Sequence, residues 1–176
     1  KKIYELSVEI GLRGSGRAGM APMFIPLGLK GVKRDGGVAA FIVPRSMLSG
    51  VDSTKMRDMV AQSCEIEMII SNFDPGLTEI GEDGRRRRSR GWSFSEETDI
   101  GEVMIIVRPV TQVNKEQRVR YVNLVKYPSN EFEAVAIARE IGRLRDKPGA
   151  LPIDIGTTSY GTTYTVRQTE VESWNW

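Results

Sequence analysis

Histidine is absent from the 176-residue sequence, and cysteine occurs once, at Cys64. The first absence removes the commonest general base and the commonest metal ligand, and one thiol cannot build a His/Cys metal cluster or an intrachain disulfide. A lone cysteine also points to a reducing compartment. No apolar run approaches the roughly 20 residues that a membrane-spanning helix needs, and the N-terminus has no signal-peptide core. Catalytic pairs are scarce. Glu65 and Glu67 share a strand face, but surface solubility explains two carboxylates there as well as chemistry does. The sequence therefore predicts no catalytic residues, no metal, no cofactor and no enzymatic activity.

The residues that are present describe a folded chain. Hydrophobic residues make up 40% and charged residues 27%, values of a domain that buries a core. The net charge of +2 conceals an uneven distribution. Residues 1–45 hold eight Lys/Arg against three acids, a surplus that favours polyanionic partners.

The stretch "GSGRAG" at 14–19 spells G-x-G-x-x-G. A dinucleotide site would require a helix opening at the last glycines. The following "MAPMFIPLGL" has Pro22 and Pro26 four residues apart, and proline removes a donor and clashes with the preceding turn. The stretch is therefore predicted to be a loop between two antiparallel strands, "IYELSVEIGL" and "MFIPLGLKGV", with no nucleotide bound. Arg13, Arg17, Lys30, Lys33 and Arg34 around it form a secondary basic surface.

Strand patterns dominate the remainder. "RDGG" at 34–37 is a turn leading to "VAAFIV". "CEIEMIISNF", "GEVMIIVRPV" and "RVRYVNLVKY" are further strands, and 151–176 reads as a C-terminal hairpin ending at Trp174 and Trp176. Between them "SGVDSTKMRDMVAQS" predicts a short helix capped at Asp52 or Ser53. "SNEFEAVAIAREIGRLRDKPG" predicts a long helix with Asn130 and Glu133 as a capping box and Phe132, Val135, Ala136, Ile141 and Leu144 along one side. The fold class is α+β and β-rich: a single β-sandwich-like domain over 1–176 with one long and one short helix.

A charged tract interrupts this pattern. Arg85, Arg86, Arg87, Arg88 and Arg90 lie in a predicted exposed loop at about 75–99, with Trp92 and Phe94 just beyond. Guanidinium groups suit phosphates, and the aromatic rings suit base stacking or a lipid interface. A nuclear-import signal is equally compatible. Six acids among residues 79–99 offset the five arginines. The tract is predicted to bind RNA or anionic lipid, or to direct import, with Trp92, Phe94, Trp174 and Trp176 as stacking or interface groups.

"YELSVEIGL", a loop and "PMFIPLGLKG", with Pro26, Leu27 and Gly28 closing an apolar run, resemble the N-terminal domain of matrix proteins of non-segmented negative-strand RNA viruses. "RYVNLVKYPSNEFEAVAIAREIGRLRD" is similar to the strand and long helix near the end of the bornavirus member. The likeness covers roughly residues 3–48 and 100–146. It implies a β-sandwich that forms homo-oligomers beneath a viral envelope and contacts an anionic membrane surface and RNA or nucleocapsid. The implied location is the virion's inner face and host cytoplasm, membrane or nucleus. A single-strand RNA-binding capsid or movement-type protein without a membrane role is the alternative.

Overall fold

The computed structural model describes residues 21–71, 78–80, 86–88, 101–126 and 128–171, together with Glu5, Val8 and Glu9. Helix α1 (Ala21–Lys30) leads to strand β1 (Ala39–Pro44), a short helix α2 (Ser46–Ser49), a 3-10 turn (Val51–Ser53) and helix α3 (Thr54–Ser63). Strand β2 (Cys64–Ser71), the paired β3 (Thr78–Ile80) and β4 (Arg86–Arg88), β5 (Glu102–Pro109) and β6 (Arg118–Leu124) follow. The described chain closes with α4 (Glu131–Leu144), β7 (Leu151–Ile155), β8 (Thr158–Arg167) and α5 (Gln168–Val171).

The class is α+β, as the sequence predicts. Six strands form one mixed sheet in the order β1-β5-β2-β6-β8-β7. β2 and β6 run parallel from Met68↔Arg120 to Ser71↔Asn123, and the other neighbours are antiparallel. β1, β2 and β6 therefore end at the same edge of the sheet.

Alternation assigns side chains to two cores. Val103, Ile105 and Val107 of β5 enter a first core with Met23 and Ile25 of α1, Met47 and Leu48 of α2, and Met56 and Val60 of α3. Ile137, Ile141 and Leu144 of α4 form a second core with Met68, Val122, Ile153 and Tyr160. The pairing of β2 with β5 shifts between Ile66 and Met68. One extra residue breaks the two-residue period, so Ile66 and Ile69 join the first core while Met68 joins the second.

The N-terminal strand pair is not observed. Glu5, Val8 and Glu9 are helical, and "APMFIPLGLK" is helix α1. Pro22 sits in the first turn, where no amide donor is needed. Pro26 removes one internal hydrogen bond, yet Pro22, Met23, Ile25 and Pro26 are all buried. Packing against β1 and α3 outweighs the local preference. Gly28 permits that approach, since a Cβ there would lie 2.6 Å from the Phe41 ring. "GSGRAG" lies outside the described residues, but the described residues on either side are helical and not antiparallel strands.

The turn at 34–37 is present, with Asp35 at φ 54°, and it joins α1 to β1. The carboxylate of Asp35 accepts from the Thr111 amide at 2.8 Å, which ties this turn to the end of β5.

Both predicted helices form. Ser53 precedes α3 without a side-chain cap, while Thr54 Oγ1 donates to Val51 O at 2.8 Å. Asn130 Oδ1 accepts from the Glu133 amide at 3.0 Å, and Glu133 reaches back to the Ser129 amide, one residue beyond the usual capping box. The apolar side of α4 is rotated from the prediction: Ile137, Ile141 and Leu144 are buried, whereas Phe132 and Val135 are exposed. The C-terminal hairpin is β7–β8, but the chain turns helical at Gln168.

Candidate functional site

A cleft of about 490 Å³ lies at the common end of β1, β2 and β6. Arg45, directly after β1, and Leu48 of α2 form one side, and Ile69 and Ser71 of β2 form the floor with Tyr121 and Asn123 of β6. Thr162 and Tyr164 of β8 complete it. The pairing of β6 with β8 sets Tyr121 opposite Tyr164 and Asn123 opposite Thr162. The two tyrosine rings stack with centroids 4.9 Å apart and planes 2° from parallel. Tyr121 is half-buried while Tyr164 is exposed. Burial, reinforced by the neighbouring Tyr164, pushes the Tyr121 phenol well above its ordinary pKa. Both rings are therefore neutral stacking surfaces at physiological pH, with no readiness to act as a base.

The polar groups are fixed from behind. Ser71 Oγ donates to Asn123 Oδ1 at 2.9 Å. The Arg45 amide donates to Gly101 O at 2.7 Å, anchoring the residue where β1 ends. Desolvation lowers the Arg45 pKa, the signature of a cation partly removed from water. Among the described residues, no carboxylate lines this cleft. Gly161 sets its rim: φ is +155°, and a Cβ would fall 2.0 Å from Asn123 O.

A second cleft of about 500 Å³ lies at the other end of the sheet, between α1 and α3. Lys30 and Arg34 line it with Pro26, Met59, Ser63 and Cys64. Two members of the predicted secondary basic surface thus come together. Lys33 lies in the same connection, and Lys30 Nζ stands 3.8 Å from Glu9 Oε1. Cys64 is fully buried, and burial pushes its thiol pKa up, so it is poorly suited to nucleophilic work. A polar cluster occupies a third place: Glu67, at the β2 bulge, pairs with Arg108 and, at 3.0 Å, with Arg145.

The predicted arginine site is described only in part. The backbone of Arg86, Arg87 and Arg88 forms β4, paired with Ile80, Glu79 and Thr78, so this part of the tract is strand and not loop. Arg85, Arg90, Trp92, Phe94, Trp174, Trp176, Arg13 and Arg17 lie outside the described residues. Sequence reasoning passes over Arg45, Ser71, Tyr121, Asn123 and Tyr164. They come from four separated segments and become neighbours only through the order of the strands.

No protein-family model matches the chain, and comparison with curated proteins gives no match. Solved structures do match. One is a modification subunit of a putative type I restriction enzyme from Vibrio vulnificus YJ016, at 14% identity and TM-score 0.51, covering 85% of this chain and 28% of that one. Another is the type I restriction-modification system methyltransferase subunit from Streptococcus thermophilus, at 16% and 0.51, covering 86% and 28%. The type IIG restriction endonuclease BpuSI is similar at 15% and 0.57, covering 97% of this chain and 17% of that one. At such identities the likeness is one of fold, and the chain spans less than a third of the length of each.

These neighbours correct the viral reading. Among the described N-terminal residues, Glu5, Val8, Glu9 and Ala21–Lys30 are helical where a strand pair is expected, and the solved folds that match belong to restriction-modification proteins. The matrix function and the RNA-binding capsid alternative fall together. So do the partners drawn from them, a homo-oligomer on an anionic membrane with RNA or nucleocapsid, and the virion location. Among the described residues no helix is long and apolar enough to cross a membrane.

Proposed function

We propose that this chain is part of a DNA-modifying protein of the restriction-modification kind, and that it contributes a DNA-holding module in place of a complete catalytic centre. The observation that carries this reading is the fold, shared over 85–97% of the chain with type I modification subunits and a type IIG enzyme. The cleft beside Arg45 agrees with it. It offers a cation, amide and hydroxyl groups and flat aromatic surface, and its described lining has neither a carboxylate nor a tyrosine poised to lose its proton. Such groups hold a polyanion and orient a base without transferring protons.

The test is binding of the chain to labelled duplex DNA across a salt series, beside a methylation assay with the same DNA. Affinity is expected to fall linearly with log salt, by about 0.9 per phosphate contact on a log scale, with no methylated product. Absence of duplex binding at low salt would overturn the DNA reading. Product formed by the chain alone would overturn the restriction to a holding role.

A further inference from the structure

The cleft between α1 and α3 lies at the other end of the sheet from Arg45, and no part of the DNA reading depends on it. It holds about 500 Å³, within the range of sites for small molecules. Pro26 and Leu29 of α1, Met59 of α3 and Pro109 at the end of β5 give it apolar walls, and Lys30 and Arg34 stand among them. Among the described residues, no carboxylate lines it. Arg34 is held in place by the turn that follows it. Asp35 is the one non-glycine with a positive φ among the described residues, a conformation that persists where the surroundings fix it. Its amide donates to Pro109 O at 2.9 Å, and its two carboxylate oxygens accept from the Thr111 amide and hydroxyl.

From this arrangement we propose that the cleft between α1 and α3 binds a small organic carboxylate, its acid group facing Arg34 and Lys30 and its apolar body against Pro26, Leu29, Met59 and Pro109. The Asp35 carboxylate next to Arg34 is committed to Thr111. Among the described residues the Arg34 guanidinium has no hydrogen-bonded acceptor. Its charge is felt at the inner wall: burial pushes the Cys64 thiol pKa up, and the Ser63 hydroxyl and Arg34 act against that rise. Lys30 is paired with Glu9 Oε1 at 3.8 Å, but both side chains are exposed. Such pairs yield readily, because water competes for both charges. A guanidinium fork matches the two oxygens of a carboxylate. The apolar walls reward a ligand with hydrocarbon to bury, and a bare inorganic anion has none.

The probe is naphthoate, compared with its neutral amide, with acetate and with inorganic phosphate. Binding is followed by the methyl resonances of isotope-labelled methionine, at Met59 in the cleft and at Met68 in the second core. Wild type should bind naphthoate with a dissociation constant of about 1 mM or tighter, ordinary for a ligand of that size. The Met59 methyl should move and the Met68 methyl should not. The amide, acetate and phosphate should each bind about tenfold more weakly or worse, since each lacks either the charge or the hydrocarbon. Arg34→Gln should weaken naphthoate about tenfold, the lower end for a charged hydrogen bond, and Arg34→Lys should retain most of the affinity. Glu9→Gln should tighten binding about twofold by releasing Lys30. Arg34 and Glu9 are exposed, so these variants should keep the wild-type melting temperature.

Absence of binding at about 10 mM naphthoate, tenfold above that constant, would overturn the proposal. So would an amide or phosphate that binds as tightly as naphthoate, or an affinity that survives Arg34→Gln. A Met59 methyl that stays in place while naphthoate binds would put the ligand elsewhere and overturn it too. Duplex binding plays no part in these outcomes, so the cleft stands or falls apart from the DNA reading.

Discussion

The two faces of the sheet are closed in different ways. One carries α1, α2, α3 and α5 over a broad core, and the other carries α4 over a smaller core. Each also contains a buried arginine that donates to backbone carbonyls and, among the described residues, has no hydrogen-bonded carboxylate. Arg57 donates to Met47 O at 2.9 Å and Gly50 O at 2.8 Å, and to Thr54 Oγ1 at 3.2 Å. Its Nε is buried without a partner among the described residues. Arg120 donates from Nε to Arg145 O at 3.1 Å and from Nη1 to Thr163 Oγ1 at 3.2 Å, and its Nη2 reaches the Arg145 and Lys147 carbonyls. The first joins residues at most ten apart, and the second joins residues 25 to 43 apart, from β6 to the end of α4 and to β8. One arginine fixes a local corner, and the other fastens α4 to β6 and β8.

The largest way to break that arrangement leaves both arginines in place. Gly161→Ala would put a Cβ 2.0 Å from Asn123 O, where the obstacle is backbone and cannot rotate away. The residue also has φ +155°, a region that favours glycine. Pairing of β6 with β8 should fail at the rim of the cleft. The expected loss is more than about 4 kcal/mol, at the exceptional end of single substitutions. A denaturant midpoint close to wild type would show that the two strands separate here at little cost.

Arg120→Met and Arg57→Met compare the faces directly. Methionine keeps much of the apolar volume and removes every donor. Arg120→Met leaves Thr163 Oγ1 and two carbonyls to find other partners, and about 3 kcal/mol should be lost. Arg57→Met also removes a buried donor that has no acceptor among the described residues, so about 2 kcal/mol is expected. Chemical denaturation of the two variants measures the difference. The reverse order would mean that the local corner carries more of the fold than the long-range fastening.

Gln168 offers a narrower test of the first face. It is fully buried at the start of α5, and its Oε1 accepts from the Ile66 amide at 2.9 Å while Nε2 donates to Cys64 O at 2.8 Å. β6 pairs with β2 only from Met68 onward, so the Gln168 amide replaces a neighbouring strand for the first residues of β2. Gln168→Leu should cost about 2 kcal/mol through two unpaired backbone groups. Amide exchange at Ile66 should quicken more than at Ile69, and equal protection at both positions would contradict the strand-substitute role.

The second face is the more legible of the two in the sequence. Its helix has a capping residue, a 3.6-residue apolar period and a Pro-Gly stop, and its hairpin has alternating residues, so local pattern and final structure agree. The first face defeats local reading at α1, because two prolines argue against a helix and only burial against β1 and α3 overcomes them. Even on the second face the apolar pattern points Phe132 inward when it is 88% exposed: periodicity gives the existence of a stripe more securely than its edges. The cleft is illegible for a different reason. Arg45, Ser71, Tyr121 and Tyr164 carry no spacing signal, since strand order and not sequence distance brings them together. The arginine run stands out because it is contiguous, whereas Arg57 and Arg120 are single residues in ordinary patterns. Clustering reveals charge, and it is silent about which arginine has carbonyls waiting for it.

The smallest expected effect concerns the entry to α4. The Glu133 carboxylate accepts from the Ser129 amide at 2.6 Å and from the Tyr160 side chain, and these bonds hold its pKa below the ordinary 4.5. An acid whose pKa is lowered by folding stabilises the native state fully above its unfolded value. That contribution fades as pH falls through the lowered native value, because the unfolded chain takes up the proton first. Wild type should therefore lose more thermal stability than Glu133→Gln between roughly pH 5 and pH 3. At neutral pH the variant should melt slightly lower, since a glutamine oxygen is a weaker acceptor than a carboxylate. Asp35, also lowered by its bonds to Thr111, is present in both proteins and cancels in the difference. Melting temperatures at half-unit pH steps provide the measurement. Parallel curves for the two proteins would mean that the Asn130 side chain alone caps this helix, and that the Glu133 contact adds nothing to the second face.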